Sequence, residues 1–299
     1  MRFLFSYPDT TGTERDMLDA GGLDEVARAV ERAGFAGISL TEHPVPGARW
    51  LASGGHQTLD PFVGLGFVAA ATTRLRLLTH LSVAPYRNPF LLAKAAATVD
   101  KLSGGRMVLG LGAGYHKAEF FALGVDFAER NALFDEVLDV LPRHWSGEPF
   151  SHEGRHFSAR DVQALPRPVQ DPIPIWIGGN ARRSRRRAAE RGQGWMPMAG
   201  GPELATTSRT VGIPDVEILA TMIAEVQSDA AAAGRGPIDI AWMYRDPDLQ
   251  RPDVEPDRHR EHFAHLEEIG VTHLWVSSRS TVPTATLEFV ESFGVRYIR

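Results

Sequence analysis

Glu42, His43 and Pro44 directly follow a short apolar run, residues 37–40, whose composition predicts a β-strand. An imidazole at the end of a strand can donate or accept a proton near neutral pH, which makes His43 a candidate acid or base. The proline after it holds the backbone extended and so suits a fixed side chain. A purely structural histidine is the alternative. We predict His43 as the catalytic residue, with Glu42 orienting it if the carboxylate turns inward.

A second candidate site lies at residues 173–180, Ile-Pro-Ile-Trp-Ile-Gly-Gly-Asn, which an arginine-rich segment follows. The pattern predicts a strand, a loop at Gly178 and Gly179, and a helix. Glycines let backbone N–H groups approach a ligand closely, and the first turn of a helix offers unpaired N–H groups to an anion. We predict a phosphate site here, with Arg182 or Arg183 as a bidentate partner and the later arginines on a solvated face. An ordinary strand–loop–helix turn is the alternative.

Polar side chains interrupt the third predicted strand. Thr79, His80 and Ser82 stand beside Leu81 and Val83. Apolar contacts with a few polar anchors suit the face of a planar cofactor. The ordinary in-and-out alternation of a strand explains the pattern equally well.

Closely spaced glycines end the fourth predicted strand. Gly112 and Gly114 precede Tyr115 and His116 and would let the backbone come near a ligand. The spacing differs from the G-x-G-x-x-G of dinucleotide folds, so this motif alone is a weak signal.

The composition excludes other classes of function. With 43% hydrophobic and 23% charged residues, the 299-residue chain is ordinary for a globular protein with a large core. The formal net charge of −5 argues against a nucleic-acid partner, and the absence of cysteine excludes disulfides and thiol catalysis. His259, His262 and His265 lack the HExxH pattern, so we expect no metal. No apolar stretch approaches the ~20 residues of a membrane helix and no signal peptide is evident, so we expect a cytoplasmic protein without a membrane partner.

Alternating strand and helix patterns must position these residues. We predict strands at 3–7, 37–40, 75–81, 107–111, 175–178, 194–196, 239–244 and 273–277, and helices at 22–33, 60–71, 90–102, 131–145, 181–191, 215–233, 257–269 and 283–293. This repeat predicts an α/β fold, a (β/α)8 TIM barrel whose active site lies at the C-terminal ends of the strands. A doubly wound open sheet is the alternative. Segments 44–59 and 147–172 are predicted insertions at the C-terminal face, the second a hairpin or extended excursion. Residues 1–299 are predicted to form one domain.

Taken together, these motifs resemble the luciferase-like monooxygenase superfamily, and within it the coenzyme F420-dependent (deazaflavin) oxidoreductases. The resemblance rests on residues 33–43, on 85–89 with 102–114, on 150–156 with 166–169, and on 174–180 with 187–197. These segments occur jointly and in order, and they cover about residues 1–200. Beyond them only the strand–helix alternation is compatible.

The resemblance implies a flavin-type ring at the C-terminal ends of the strands, with F420 as the expected cofactor and FMN as the alternative. It places the ring against a bulged third strand with a non-proline cis peptide, expected at His80–Leu81, and it assigns proton transfer to His43. The amides of Gly178 and Gly179 would hold the phosphate. The predicted cofactor-binding residues are Ser6, Thr79, His80, Leu81, Ser82, Gly112, Gly114, Tyr115, Gly178, Gly179, Asn180, Arg182 and Trp195. The family often forms dimers through early barrel helices, so a homodimer acting on a small-molecule substrate is expected.

One position departs from the family. In the deazaflavin-dependent sugar-phosphate dehydrogenases a glutamate follows the third glycine of the fourth strand, whereas Tyr115 stands here. We therefore do not carry the sugar-phosphate substrate over. The favoured function is hydride transfer between F420 and an organic substrate. An FMN-dependent monooxygenase and a non-catalytic flavin-binding protein, both on the same fold, are the alternatives.

Overall fold

Eight parallel strands close into a barrel in the computed structural model of the chain, which describes residues 1–7, 22–201, 209–280 and 282–299. The strands are β1 (Arg2–Ser6), β2 (Gly37–Leu40), β3 (Arg76–Thr79), β4 (Ser82–Val83), β5 (Met107–Gly112), β6 (Phe150–Glu153), β7 (Ser158–Val162), β8 (Ile175–Gly178), β9 (Gly194–Met196), β10 (Asp239–Met243) and β11 (His273–Val276). Around the barrel the order is β1, β2, β3, β5, β8, β9, β10 and β11, and β11 pairs again with β1. The predicted TIM barrel is confirmed.

Helices follow the barrel strands and cover the outside of the barrel. They are α1 (Leu23–Ala33), α2 (Ala48–Ala52), α3 (Pro61–Ala71), α4 (Pro89–Ser103), α5 (Lys117–Ala122), α6 (Arg130–Trp145), α7 (Arg182–Arg191), α8 (Val216–Ala232), α9 (Pro256–Glu268) and α10 (Pro283–Phe293). In the described part of the chain, no helix has the length and apolar character needed to cross a bilayer. That all residues form one domain stays a prediction.

The third strand differs from its prediction. It was expected to be continuous over residues 75–81, but β3 ends at Thr79 and β4 begins at Ser82. The peptide bond between His80 and Leu81 is cis, which confirms the expectation from the family resemblance. β3 pairs with both β2 and β5, whereas β4 pairs with β5 alone. The interruption therefore sets His80 and Leu81 apart from the regular ladder at the C-terminal end of the strand.

Three local elements lie in the predicted insertions or between predicted elements. β6 and β7 form an antiparallel hairpin within residues 147–172, as expected. Helices α2 and α5 were not predicted. They span only five and six residues, and a segment that short cannot display the apolar periodicity by which longer helices are identified. Both follow barrel strands on the C-terminal side, where they bring side chains to the rim.

The barrel interior is filled below its C-terminal rim. Along each strand the side chains alternate, so that one set packs against the helices and the other points inward. The inward set forms a separate buried cluster of Leu4, Leu78, Val108, Trp176, Met196, Ala241 and Trp275. Because these residues fill the interior, a binding site is expected at the rim, as is usual for this architecture.

Candidate active site

A cleft of about 950 Å³ opens at the C-terminal ends of the barrel strands. Its wall includes Ser6 at the end of β1, Gly112 at the end of β5, Gly178 at the end of β8, and Met243 at the end of β10. The volume lies within the ~300–1,000 Å³ that is typical of small-molecule sites.

Most of the residues singled out in the sequence line this cleft. They are Ser6, Glu42, His43, His80, Leu81, Gly112, Gly114, Tyr115, Gly178 and Gly179. The structure therefore brings together residues that are far apart in the chain. Their roles in catalysis or cofactor binding stay predictions.

Five predicted cofactor-binding residues do not line the cleft. Thr79 Oγ1 donates to the carbonyl of Gly110 at 2.7 Å, Ser82 Oγ donates to Glu42 at 3.0 Å, and Trp195 Nε1 donates to the carbonyl of Gly179 at 2.9 Å. Asn180 Nδ2 is bonded to the carbonyls of Met198 and Val211 at 2.9 and 2.7 Å, and Arg182 is exposed. The polar atoms of the four buried side chains, Thr79, Ser82, Asn180 and Trp195, therefore bind the backbone or Glu42. These side chains stabilise the residues that line the cleft and do not line it themselves.

His43 is held on three sides. Its backbone N–H donates to Thr58 Oγ1 at 2.8 Å, its ring Nδ1 lies 3.1 Å from Glu119 Oε2, and its ring centroid is 4.6 Å from that of Trp50. Only 9% of the residue is exposed. The Nδ1 side of the ring is therefore held by the carboxylate of Glu119, and the residue still lines the cleft.

Glu119, which the sequence analysis missed, is fully buried and also lines the cleft. Its carboxylate accepts from Tyr86 Oη at 2.9 Å and from the N–H of Val45 at 3.3 Å. Burial alone would raise the pKa of Glu119, but the hydrogen bond and charge of His43, with the other donors, outweigh it and leave the pKa below its usual value. Glu119 lies on the short helix α5, and no motif in the sequence singles it out.

Glu42 does not orient His43, contrary to the prediction. Its carboxylate accepts from Ser82 Oγ at 3.0 Å and from the N–H of Val83 at 2.7 Å, and it forms an ion pair with Arg87. Burial raises the pKa of Glu42, although the charge of Arg87 acts in the opposite direction. These bonds tie the end of β2 to β4, so Glu42 holds the interrupted third strand in place.

His80 presents a flat, neutral ring beside the cleft. It stacks on Trp275 with a centroid distance of 3.8 Å and an interplanar angle of 5°. Burial, together with the positive charge of Arg245, lowers the pKa of His80 to about 3. The imidazole is therefore uncharged at neutral pH.

The glycines of β5 and β8 make room for a side chain of the protein itself. A Cβ on Gly112 would stand 2.6 Å from Leu81 Cδ1, and a Cβ on Gly178 would stand 2.3 Å from Leu81 Cδ2. Both distances are far below van der Waals contact. The two glycines were interpreted as points where a ligand approaches the backbone, but their first requirement is to accommodate Leu81.

Of the two glycine amides predicted to hold a phosphate, that of Gly179 is bonded within the protein. The N–H of Gly179 donates to the carbonyl of Met196 at 3.2 Å, and the N–H of Asn180 donates to Thr210 Oγ1 at 3.1 Å. The N–H groups of residues 182–184, in the first turn of α7, have no acceptor among the described residues. The start of α7 therefore offers free donors to an anion, and the phosphate site at Gly178 and Gly179 stays a prediction.

Four arginines line the cleft. Three of them, Arg130, Arg183 and Arg209, form what we call the arginine cluster, and the fourth is Arg245, which follows β10. Burial and the charges of Arg209 and Arg183 lower the pKa of Arg130, so the three side chains are close enough to repel one another. Among the described residues none of them pairs with a carboxylate. Only Arg183 was considered from the sequence, because Arg130 and Arg209 lie on other segments.

The remaining arginines of α7 are only partly on a solvated face. Arg187 is buried, with 4% of the residue exposed, and its Nε donates to Asp135 at 2.6 Å. Arg185 and Arg191 pair with Glu225 and Asp139. The expectation of a solvated face is therefore wrong for Arg187, which connects α7 to α6.

Aromatic and imidazole rings surround His43, and we call these neighbours the ring cluster: Trp50, His56, Tyr115 and His116. Their centroids lie 4.6, 5.0, 6.3 and 6.3 Å from that of His43. The ring of His116 accepts from the N–H of Gly47 at 3.1 Å through Nε2, and burial lowers its pKa although Glu119 opposes the shift. His43 thus faces a wall of flat aromatic and imidazole rings.

A family model described as luciferase-like monooxygenase matches residues 1–247. The chain belongs to the luciferase-like monooxygenase family. Protein Rv0953c of Mycobacterium tuberculosis is 30% identical over 262 residues, which cover 83% of this chain and 84% of the relative. An F420-dependent glucose-6-phosphate dehydrogenase of Beutenbergia cavernae is 34% identical over 181 residues, 59% of this chain and 52% of that protein.

Solved structures share the fold of this luciferase-like protein. The monooxygenase RslO1 from Streptomyces bottropensis has a TM-score of 0.80 at 21% identity and covers 100% of this chain and 99% of its own. The oxygenating constituent of 3,6-diketocamphane monooxygenase from Pseudomonas putida, in complex with FMN, has a TM-score of 0.77 at 17% identity and covers 99% of this chain and 97% of its own. At these identities the likeness concerns the fold alone.

Proposed function

We propose that the protein transfers a hydride between coenzyme F420 and a small organic substrate, with His43 as the acid or base. The observation that carries the proposal is that one cleft contains both a histidine bonded to a buried carboxylate and an arginine cluster. The first can move a proton and the second can hold an anionic cofactor tail. The similarity to an F420-dependent dehydrogenase supports F420 as the cofactor.

The residues of the cleft fit such a cofactor. Its volume of about 950 Å³ leaves room for a ring and a substrate beside it. Leu81 and the neutral ring of His80, which stacks on Trp275, both line the wall and offer uncharged contacts to a ring. The arginine cluster and the first turn of α7 supply donors for phosphate and carboxylate groups of the tail.

The chemistry then divides between cofactor and protein. When bound, F420 supplies the ring carbon that gives or takes the hydride. His43 gives a proton to the substrate oxygen, or takes one from it, while the carbon attached to that oxygen gains or loses the hydride. Trp50 and Tyr115 pack beside His43 and line the same cleft.

An FMN-dependent monooxygenase is the second candidate function. It is supported by the fold similarity to two monooxygenases, one of them in complex with FMN. The arginine cluster suits the phosphate of FMN as well as the longer tail of F420. A protein that binds a flavin without turnover uses the same cleft and differs only in showing no hydride exchange.

Titration of the cofactor-free protein with F420 and with FMN, followed by absorbance, separates these functions. We expect saturable binding of F420 and at least tenfold weaker binding of FMN. Tight binding of FMN with no affinity for F420 would overturn the proposal in favour of the monooxygenase. Tight F420 binding without hydride exchange, across a panel of alcohols, carbonyl compounds and activated alkenes, would indicate a binding protein.

We also propose a homodimer formed through α3 and α4. Helix α3 contains no polar side chain, yet Val63 and Phe67 on it are 75% and 56% exposed, and Leu91 on α4 is 67% exposed. A helix that is apolar on all faces is usually covered on all faces. Light scattering should give twice the chain mass, and the Phe67→Glu variant should scatter as a monomer. A monomeric wild-type protein would refute this assembly.

A further inference from the structure

The carboxylate of Glu119 has three hydrogen-bond partners. It accepts from the hydroxyl of Tyr86 at 2.9 Å and from the N–H of Val45 at 3.3 Å, and it lies 3.1 Å from Nδ1 of His43. A buried charge is costly unless its hydrogen bonds are satisfied, so this arrangement serves an ionised carboxylate. An ionised carboxylate only accepts, and Nδ1 of His43 must then carry the proton.

We infer that Glu119 is the positioning residue for His43: it fixes the proton on Nδ1 and the plane of the ring, and so leaves Nε2 as the nitrogen that exchanges a proton in the cleft. No described residue forms a hydrogen bond with Nε2 of His43. Tyr86 holds the carboxylate in turn through its hydroxyl. This inference rests on the proposed function, because it assigns the reacting atom of the proposed acid or base.

The other buried carboxylates of the cleft region do not share this geometry. Glu42 is occupied by Arg87, Ser82 and the N–H of Val83. Glu136 also binds histidines, but these belong to the β6–β7 hairpin and its flank and do not line the cleft. Within the part of the chain that the structure describes, Glu119 alone joins a buried carboxylate to a cleft histidine by a hydrogen bond.

Glu119 also has a structural contact, because its bond to the N–H of Val45 anchors the loop after β2. A test must therefore separate an effect on His43 from a loss of folding. The Glu119→Gln variant keeps the shape but removes the charge. A glutamine can accept from Nδ1 or donate to it, so both tautomers of His43 become populated. The matched control is Glu136→Gln, which removes a buried carboxylate from a histidine pair outside the cleft.

The first measurement is ¹⁵N NMR of the His43 ring in the cofactor-free protein at neutral pH. We expect a single Nδ1-protonated tautomer in the wild type and in Glu136→Gln, and a mixture in Glu119→Gln. Unchanged ring nitrogens in Glu119→Gln would overturn the inference. Because no cofactor or turnover is involved, this readout does not depend on the proposed function.

The second measurement is the steady-state rate of F420 turnover. We expect kcat to fall ~10–100-fold in Glu119→Gln with KM and F420 affinity unchanged, the loss that is typical when the partner orienting a metal-bound histidine is removed. Glu119→Asp restores the charge and should recover part of kcat. If the tautomers mix but kcat is unchanged, Glu119 positions His43 as inferred and the catalytic role proposed for His43 is wrong. If Glu119→Gln fails to fold, Tyr86→Phe takes its place in the NMR measurement. The Nδ1 resonance of His43 should shift, because Glu119 loses one of its donors, and an unchanged resonance would contradict the inferred network.

Discussion

Two histidine–carboxylate groups in this protein, each built on a buried glutamate, have the same chemistry and different surroundings. At the cleft, His43 uses Nδ1 to contact Glu119. At the hairpin, His156 uses Nδ1 to contact Glu136 at 2.8 Å and Nε2 to contact Glu129 at 3.1 Å. Both nitrogens of His156 are therefore occupied by protein carboxylates, whereas the described residues occupy only one nitrogen of His43.

The difference shows what distinguishes a histidine that can transfer protons from a structural one in this fold. Both histidines have a carboxylate partner, so the partner alone does not distinguish them. What allows proton exchange at His43 is a second ring nitrogen without a protein partner, next to the cleft. His156 instead joins the β6–β7 hairpin to α6, because Glu136 also accepts from the N–H groups of His156 and Phe157.

Replacing each histidine by alanine tests this difference, and we expect the greatest loss of turnover at the cleft. We expect His43→Ala to lower kcat by ~10²–10⁴-fold, the usual contribution of a general acid or base. Both His43→Ala and His156→Ala should lower stability, because each leaves a buried glutamate with fewer donors, but in His156→Ala kcat should persist. Turnover and thermal unfolding of both variants provide the measurement. Wild-type turnover in His43→Ala would show that the free ring nitrogen is not used.

A second effect concerns stability and pH at the hairpin. Burial alone would raise the pKa of Glu136, but hydrogen bonds from His156, from the N–H groups of Phe157 and His156, and from His152 outweigh it and lower the pKa. A lowered folded-state pKa means that the ionised form stabilises the fold above the ordinary value of 4.5, and that this contribution is lost as the pH falls through the folded value. We therefore expect Glu136→Gln to be less stable than wild type by about 1–3 kcal/mol at pH 7.

The check on this prediction is denaturant unfolding of both proteins from pH 7 down to pH 3. The difference in the free energy of unfolding should shrink as the pH falls, because the wild-type carboxylate becomes protonated. A difference that stays constant over this range would show that shape rather than charge is responsible. The Glu153→Gln variant, on an exposed position of the same hairpin, is the control and should follow the wild type.

The sequence predicts the barrel far better than it predicts the contacts within the cleft. Strands such as β2, β8 and β9, and helix α10, have the predicted limits, because apolar runs and helical periodicity are local signals. His43 was likewise identified from the strand before it. Its partner was not, since Glu119 approaches from α5, 76 positions along the chain, and Glu42, the neighbour in sequence, turns to Arg87 instead.

The glycine motif shows the same limit. Gly112 and Gly178 line the cleft, but the space they leave is taken by Leu81, which belongs to the cis peptide between β3 and β4. The arginine cluster is equally non-local, because α6, α7 and the segment containing Arg209 each contribute one member. The pattern within one segment therefore identifies candidate site residues. Which of these residues contact one another depends on the three-dimensional fold.

The arginines of α7 differ in the same way as the two histidines, and the change we expect here is the mildest. Arg187 is bonded to Asp135 and Asn131 within the protein. Arg183 has no carboxylate partner among the described residues. An unpaired cation at the cleft should contribute to binding an anionic tail, so Arg183→Gln should weaken F420 binding about tenfold, as expected for one partly exposed charge-assisted contact. Arg182→Gln is the matched control, since this neighbouring arginine is exposed and does not line the cleft.

Titrations at two salt concentrations complete the measurement. The difference in F420 affinity between wild type and Arg183→Gln should become smaller at high salt, because salt screens the contact that Arg183 makes in the wild type. Equal losses in both variants would mean that overall positive charge, and not the position of Arg183 in the cleft, attracts the cofactor.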